Sequence, residues 1–192
     1  MAARILRSAD YVTRPWKNGG GTTRDIAASP SGASLDTFDW RLSLAQVDRD
    51  GPFSRFEDVD RTLVLLDGAM TLQDRNGRIE LARNEPVTFE GERAIEATLA
   101  GGSTLDFNVM TRRGRARHAV RRQLFSGHTQ IEANAGTTII LFALERGLSV
   151  ARDSLDTHDV AIITAQRVLV AAAADAVAAL VVTLDDFHPN VL

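Results

Sequence analysis

Phe38-Asp39-Trp40-Arg41-Leu42-Ser43-Leu44-Ala45-Gln46-Val47 alternates apolar and polar residues with a period of two, the repeat of an extended strand. Trp40, Leu42 and Leu44 fall on one side and Arg41 and Ser43 on the other, which predicts a strand with one wet face. Downstream, Arg61 to Leu66 repeats the pattern, with Arg61, Leu63 and Leu65 sharing a face, and Thr104 to Thr111 places Asp106, Asn108 and Met110 together. Asn76-Gly77 between Thr71-Leu72-Gln73 and Arg78-Ile79-Glu80-Leu81 is a hairpin signal. Further short strands are expected at Pro86 to Phe89, Ile95 to Leu99, Gln130 to Ala133, Thr137 to Leu144 and Asp159 to Thr164. Many short strands without sustained helical periodicity argue for an all-β barrel or sandwich.

Upstream lies Arg14-Pro15-Trp16-Lys17-Asn18-Gly19-Gly20-Gly21-Thr22-Thr23-Arg24-Asp25. Arg4 to Val12 reads as a first strand and Arg24 to Ala28 as the strand leaving the loop. Glycines free the backbone for positive φ and for close approach, while Trp16, Lys17, Asn18, Thr22, Thr23 and Arg24 can all donate hydrogen bonds. The loop reads either as a simple turn or as a cradle for an acidic or carbonyl-bearing ligand. It fits neither a Walker loop, in which Lys follows the last Gly, nor the dinucleotide fingerprint, because Arg24 stands where the third Gly would be.

The chain's 192 residues, 44% of them hydrophobic, can bury a full core. A net charge of −3 offers no general attraction to nucleic acid, and the absence of cysteine excludes disulfides and thiolate metal sites. The opening residues lack the apolar stretch of a signal peptide, so a cytoplasmic protein is expected. Val168 to Leu184 is rich in Ala and Val, but Asp175 divides it into runs too short for a membrane span of about 20 residues. It reads as two core strands, with an Ala-rich helix as the alternative. The basic run from Arg112 to Arg122 reads as a solvated connector between two strand-rich halves, since it carries no interleaved aromatics on which bases could stack.

Candidate chemistry is sparse. His118, His128, His158 and His188 never adopt ligand-pair spacing, and each reads as an isolated surface or loop residue. No Gly-x-Ser-x-Gly elbow occurs. What remains is Arg41, Arg61, Asp106 and Asn108 on strands, with Lys17, Asn18 and Thr23 from the loop. A guanidinium alternating into an apolar face needs a partner. That partner is either an internal carboxylate, Asp106 or Glu57, or a carboxylate ligand held bidentately; the residues alone leave both open.

Trp16 to Asp25, Phe38 to Ala45, Gly51-Pro52-Phe53-Ser54, Asp60-Arg61 and Asp106-Phe107-Asn108-Val109-Met110 with Arg112-Arg113 together resemble the HutD/Ves family, in the family's order. The resemblance covers roughly residues 10 to 115 and implies a bicupin of two RmlC-like jelly-roll halves, residues 1–115 holding the ligand pocket and 116–192 completed by strand exchange. Metal-binding cupins carry two His and a Glu six residues ahead of a Gly; here Arg55, Glu57 and Arg61 precede Gly68. A cation at the carboxylate position repels a divalent metal and favours an anion, so no metal and no cofactor is expected.

The resemblance further implies a modulator of histidine utilisation that binds a small anionic metabolite, N-formylglutamate being favoured, without catalysing a reaction. Lys17, Arg41 and Arg61 would supply charge, and Asn18, Thr23, Asp106 and Asn108 polar contacts. A metal-free isomerase or hydrolase acting on a similar acid, with Asp106 as its proton-transfer group, is the alternative. Neither nucleic acid nor membrane is an expected partner; a homodimer is.

Overall fold

The structure, a computed structural model, describes residues 3–186. Its strands are β1 (Arg4–Leu6), β2 (Val12–Pro15), β3 (Gly21–Ser29), β4 (Trp40–Val47), β5 (Gly51–Pro52), β6 (Val59–Asp67), β7 (Met70–Asp74), β8 (Gly77–Glu80) and β9 (Pro86–Glu90). They continue with β10 (Glu96–Leu99), β11 (Thr104–Arg112), β12 (Ala116–Phe125), β13 (His128–Ala143), β14 (Leu148–Val150), β15 (Asp153–Leu155), β16 (Val160–Ala172) and β17 (Val177–Asp186). The one helical element among the described residues is a 3-10 turn at Ser8–Asp10, which interrupts the single strand expected from Arg4 to Val12. The all-β reading holds, and the Ala-rich helix does not form: β16 and β17 flank a turn in which Ala176 takes a positive φ of 65°.

Contacts divide the chain into two compact units, Tyr11–Arg113 and, together, the residues up to Asp10 with those from Gly114 onward. The family resemblance implies halves of residues 1–115 and 116–192. The opening residues go with the second unit because β1 pairs antiparallel with β16, Ile5 opposite Ala161.

In the Tyr11–Arg113 unit, a six-stranded sheet ordered β2-β3-β4-β11-β6-β9 and a four-stranded sheet ordered β5-β10-β7-β8 share one core. Val47, Leu63, Leu65 and Phe89 of the larger sheet pack with Met70, Leu72 and Ala97 of the smaller. The sheets are open, in a cupin-like sandwich. The Asn76-Gly77 hairpin forms as expected, Thr71 opposite Glu80 and Asp74 opposite Gly77. The wet face expected of β4 is absent. Leu42 and Leu44 are fully buried on one side, and Ser43 on the other is only 3% exposed, because β4 and its neighbour β11 are central strands.

The glycine run is explained by its own hairpin. Gly19 has a φ of +67°, and a Cβ on Gly21 would stand 2.1 Å from the Gln46 carbonyl oxygen on β4. The Trp16 amide donates to the Gly21 carbonyl at 3.0 Å and the Asp48 amide to the Gly20 carbonyl at 2.9 Å, so the loop is stitched down at both ends.

The second unit is a single sheet ordered β12-β17-β13-β16-β14-β15, with β1 added beside β16. The two strands read at 130–133 and 137–144 are one, β13, broken in register between Ala133 and Thr138. Ala133 pairs with Gln166 and Thr138 with Thr164, so four residues of β13 bulge against one of β16. Ile131, Ala133 and Val168 on one side of this bulge share a single apolar cluster with Leu141, Ala161 and Ile163 on the other. The basic run is not a connector. Only 113–115 form a turn, and from Ala116 the chain is β12, an edge strand paired along its length with β17.

Candidate functional site

Register places one set of polar residues of the six-stranded sheet on a single inner row. Arg41 and Arg61 both pair with Met110, Ser43 with Asn108, and Ala45 with Asp106; on β3, Asp25 faces Ser43 and Thr23 faces Ala45. Alternation then brings Thr23, Asp25, Arg41, Ser43, Arg61, Asp106 and Asn108 to the face that also carries Leu63, Leu65 and Val47.

Arg61 is the centre. It is 8% exposed and lies over three rings, with its guanidinium carbon 5.4 Å from the centroid of Phe53, 5.5 Å from Phe56 and 5.2 Å from Phe89. Its Nη2 donates to Asn108 Oδ1 at 2.8 Å and its Nη1 to the Ser54 carbonyl at 3.3 Å, while Nε is buried without a partner. Burial, offset in part by Asp106 and reinforced by Arg41, pushes its pKa down to about 10. Desolvation outweighs attraction here.

Asp106 is 1% exposed. Its Oδ1 accepts from Asn108 Nδ2, and its Oδ2 is buried without a partner. Burial raises its pKa to about 7 against the pull of Arg61 and the Asn108 hydrogen bond. Asn108 is held at both ends and stands between the guanidinium and the carboxyl. The internal salt bridge considered for Arg61 is therefore an amide-mediated contact. Glu57 has no part in it, being exposed beside Arg55 at 3.9 Å.

Arg41 is 14% exposed at its side chain and engaged by Asp25 Oδ1 through Nη2 and by Ser43 Oγ at 3.2 Å through Nη1. Thr23 Oγ1 accepts the Trp16 indole N–H at 2.7 Å. Asn18 is exposed and its Oδ1 takes the Gly20 amide at 3.0 Å, capping the turn. Lys17 is exposed on the same loop and is not brought to the buried row. The structure thus gathers Arg41, Arg61, Asp106 and Asn108, sets Thr23 at the end of their face, and leaves Asn18 and Lys17 on the rim. Beside them opens a cleft of about 70 Å³ walled by Trp16, Asn18, Val47, Arg49, Asp50 and Phe53. Phe53, one of its walls, also lies against the Arg61 guanidinium.

Sequence reasoning missed Asp25 as the partner of Arg41, although Thr23 and Asp25 share strand parity. It also missed Phe53, Phe56 and Phe89, of which only Phe53 sat in a quoted motif. The alignment of Arg55 and Glu57 with metal ligands fails: both are exposed in the loop before β6, and only Arg61 faces inward. Among the described residues no group of three His, Asp or Glu side chains could hold a metal ion. His118 is half-buried on β12, His128 is exposed, His158 stacks on Phe142 at 5.5 Å, and His188 lies outside the described residues. No helix among the described residues is long and apolar enough to cross a membrane.

The chain is 37% identical over 150 residues to an uncharacterised 21.2 kDa protein of the hutC 3' region of Pseudomonas putida, covering 77% of each. It is 44% identical over 109 residues to the protein Ves of Cronobacter sakazakii, covering 55% of this chain and 59% of that one. The solved structure of HutD from Pseudomonas fluorescens SBW25, in a formate condition, superposes with a TM-score of 0.83 at 27% identity over 97% of this chain and all of that one. A bacterial pirin from Escherichia coli, solved with nickel(II), shares the cupin-like fold alone, with a TM-score of 0.68 at 9% identity over 95% and 98%. The HutD family model matches residues 8–181, a span that contains β2 to β16, half of β17 and the whole inner row; the chain belongs to the HutD/Ves family.

Proposed function

We propose that the chain is a bicupin that binds a small carboxylate-bearing metabolite on the inner row of its N-terminal half, N-formylglutamate being the leading candidate, and that it modulates histidine utilisation through that binding. The observation that carries this is Arg61. A guanidinium left with an unpartnered Nε in an aromatic enclosure is a costly arrangement for folding alone. It is well suited to an anion, because a charge-assisted hydrogen bond gains strength where water is excluded.

Two or three such bonds, at about 1.5 to 3 kcal/mol each, less the cost of immobilising a ligand, correspond to affinities of about micromolar to sub-millimolar. The 70 Å³ cleft is far smaller than the roughly 300 Å³ and more of ordinary ligand pockets. Admission of a glutamate-sized acid therefore requires the half-buried Phe53 to swing away from Arg61, a side-chain movement common on binding. Calorimetric titration with N-formylglutamate, beside glutamate, urocanate and formate and with EDTA in a parallel run, tests the reading. Saturable, EDTA-insensitive binding is expected; silence from all four acids would sink it.

A further inference from the structure

We infer that Asp106 is the second anchor for the ligand and holds it as a neutral carboxylic acid, so that binding draws one proton from solution. The inference rests on the carboxylate reading of the Arg61 row. It begins from Arg61 Nε and Asp106 Oδ2, two of the buried side-chain atoms left without a hydrogen-bond partner among the described residues. Asn108 occupies the remaining valences between them, with its carbonyl oxygen on Arg61 Nη2 and its amide on Asp106 Oδ1. The ligand must therefore satisfy a fixed donor at Arg61 and a carboxyl oxygen whose role depends on its proton.

The surroundings decide that role. The charged group acting on Asp106 is Arg61 on β6; Arg41 on β4 lies four residues further along the sheet, acts on Arg61 and is already engaged by Asp25 of β3. From β9 comes Phe89, and from the smaller sheet the apolar Met70, Leu72 and Ala97. Among the described residues the only hydrogen bond to the carboxyl comes from a neutral amide. Arg61 spends its charge on Asn108, the Ser54 carbonyl and three aromatic faces. A second anion brought into this dry row beside an ionised Asp106 would meet like charge, and two carboxylates sharing such a site retain a proton between them. With a folded pKa of about 7 before the ligand arrives, Asp106 needs little further push. Protonated, its Oδ2–H donates to an acceptor oxygen of the ligand while Arg61 Nε–H donates to the anionic group. No covalent bond changes; one proton moves from buffer to Oδ2.

The test is titration of the full chain with N-formylglutamate at pH 6 and pH 8, each in two buffers of different ionisation enthalpy. Uptake is expected to approach one proton per ligand at pH 8 and to be clearly smaller at pH 6, where Asp106 already carries more of its proton before the ligand arrives. Asp106→Asn, which cannot take up the proton, should lose the buffer dependence and flatten the pH profile between these values. Saturable binding with zero proton uptake at pH 8 in the wild type would overturn the inference and leave the carboxylate site standing, with Asp106 accepting a ligand N–H instead. Undiminished uptake by Asp106→Asn would also overturn it. Absence of binding to any of the four acids would overturn the carboxylate reading and this inference with it. The wild-type comparison stands even if the variant fails to fold.

Discussion

The inner face of the Tyr11–Arg113 unit and the core of the other unit are made from the same period-two strands, yet one encloses a polar row and the other is dry. In the first unit Arg61 Nε and Asp106 Oδ2, together with Glu92 Oε2 and Thr104 Oγ1, are buried without a hydrogen-bond partner among the described residues. The second fills its core with Phe125, Leu141, Val150, Leu155, Ile163, Val168 and Val170. Its buried carboxylate, Asp159, is fully engaged by the Ser8 amide at 2.7 Å, Arg7 Nη1 at 2.8 Å and the Asp156 amide at 3.1 Å. Buried polar groups that serve a fold are satisfied within it. Asp159 and Asp106, both almost wholly buried, thus differ in that one carboxylate is engaged at both oxygens and the other keeps an oxygen without a hydrogen-bond partner among the described residues.

The largest effect is expected on the dry side. Leu141 is fully buried in the cluster that spans the β13 bulge, and Leu141→Ala should cost about 2 to 5 kcal/mol. Denaturant unfolding would show this as a lowered midpoint. Ligand titration below the new transition should be unchanged, and a loss of binding there would show that the two units are not independent.

Arg61→Met reverses the pattern. The thioether keeps much of the volume among Phe53, Phe56 and Phe89 and removes a desolvated charge, so stability should hold or rise, as replacement of buried ionic groups by apolar ones often gives up to about 4 kcal/mol. Binding of N-formylglutamate should fall about 100-fold, the equivalent of roughly 2.7 kcal/mol in lost charge-assisted hydrogen bonds. A variant that unfolds instead would make Arg61 structural.

Asp159→Asn comes next. Burial alone would raise this carboxyl, but the Ser8 amide, Arg7 and the Asp156 amide outweigh burial and hold it below its ordinary range. A depressed carboxylate stabilises fully above its unfolded pKa of about 3.9 and loses that contribution as pH falls through the folded value. The variant should be less stable by about 1 to 3 kcal/mol at pH 7, and the gap should close below about pH 4. A gap that is constant with pH would mean that the charge of Asp159 is not what holds β1 in place.

How much of this contrast the sequence discloses depends on the range of the interactions involved. The parity of Arg41 and Ser43, of Arg61, Leu63 and Leu65, and of Asp106, Asn108 and Met110 is local, and each set does share a face. The turn within Val168 to Leu184 is equally legible, because Asp175 interrupts the apolar run. What joins the sets is register between strands far apart in the chain. Asp25 reaches Arg41 only once β3 lies on β4, and three phenylalanines spread from 53 to 89 meet only around the folded Arg61. From local chemistry the glycine run reads equally as a turn or as a ligand cradle, because the Gln46 carbonyl that forbids a side chain at Gly21 comes from the neighbouring strand. The β13 bulge left only Gly136 as a trace, and a lone glycine does not say which strand it bends.

The smallest expected effect concerns the basic run, whose density in the sequence suggests more than its setting supports. Arg117 sits on edge strand β12, with its side chain 68% exposed, and Nε donates to Asp185 Oδ2 at 2.9 Å. In water such a pair is screened and the long side chain keeps its entropy when released, so Arg117→Ala should change stability by at most about 1 kcal/mol. It should leave N-formylglutamate binding untouched, since β12 contributes nothing to the Arg61 row. Positive side chains along an unpaired edge also discourage a second copy from pairing there, because antiparallel addition would bring like charges together. Sedimentation of Arg117→Ala and of Arg121→Ala beside the wild type would check this. The edge is expected to pair more readily once its charge is removed, and an assembly that weakens instead would make the basic strand part of an interface.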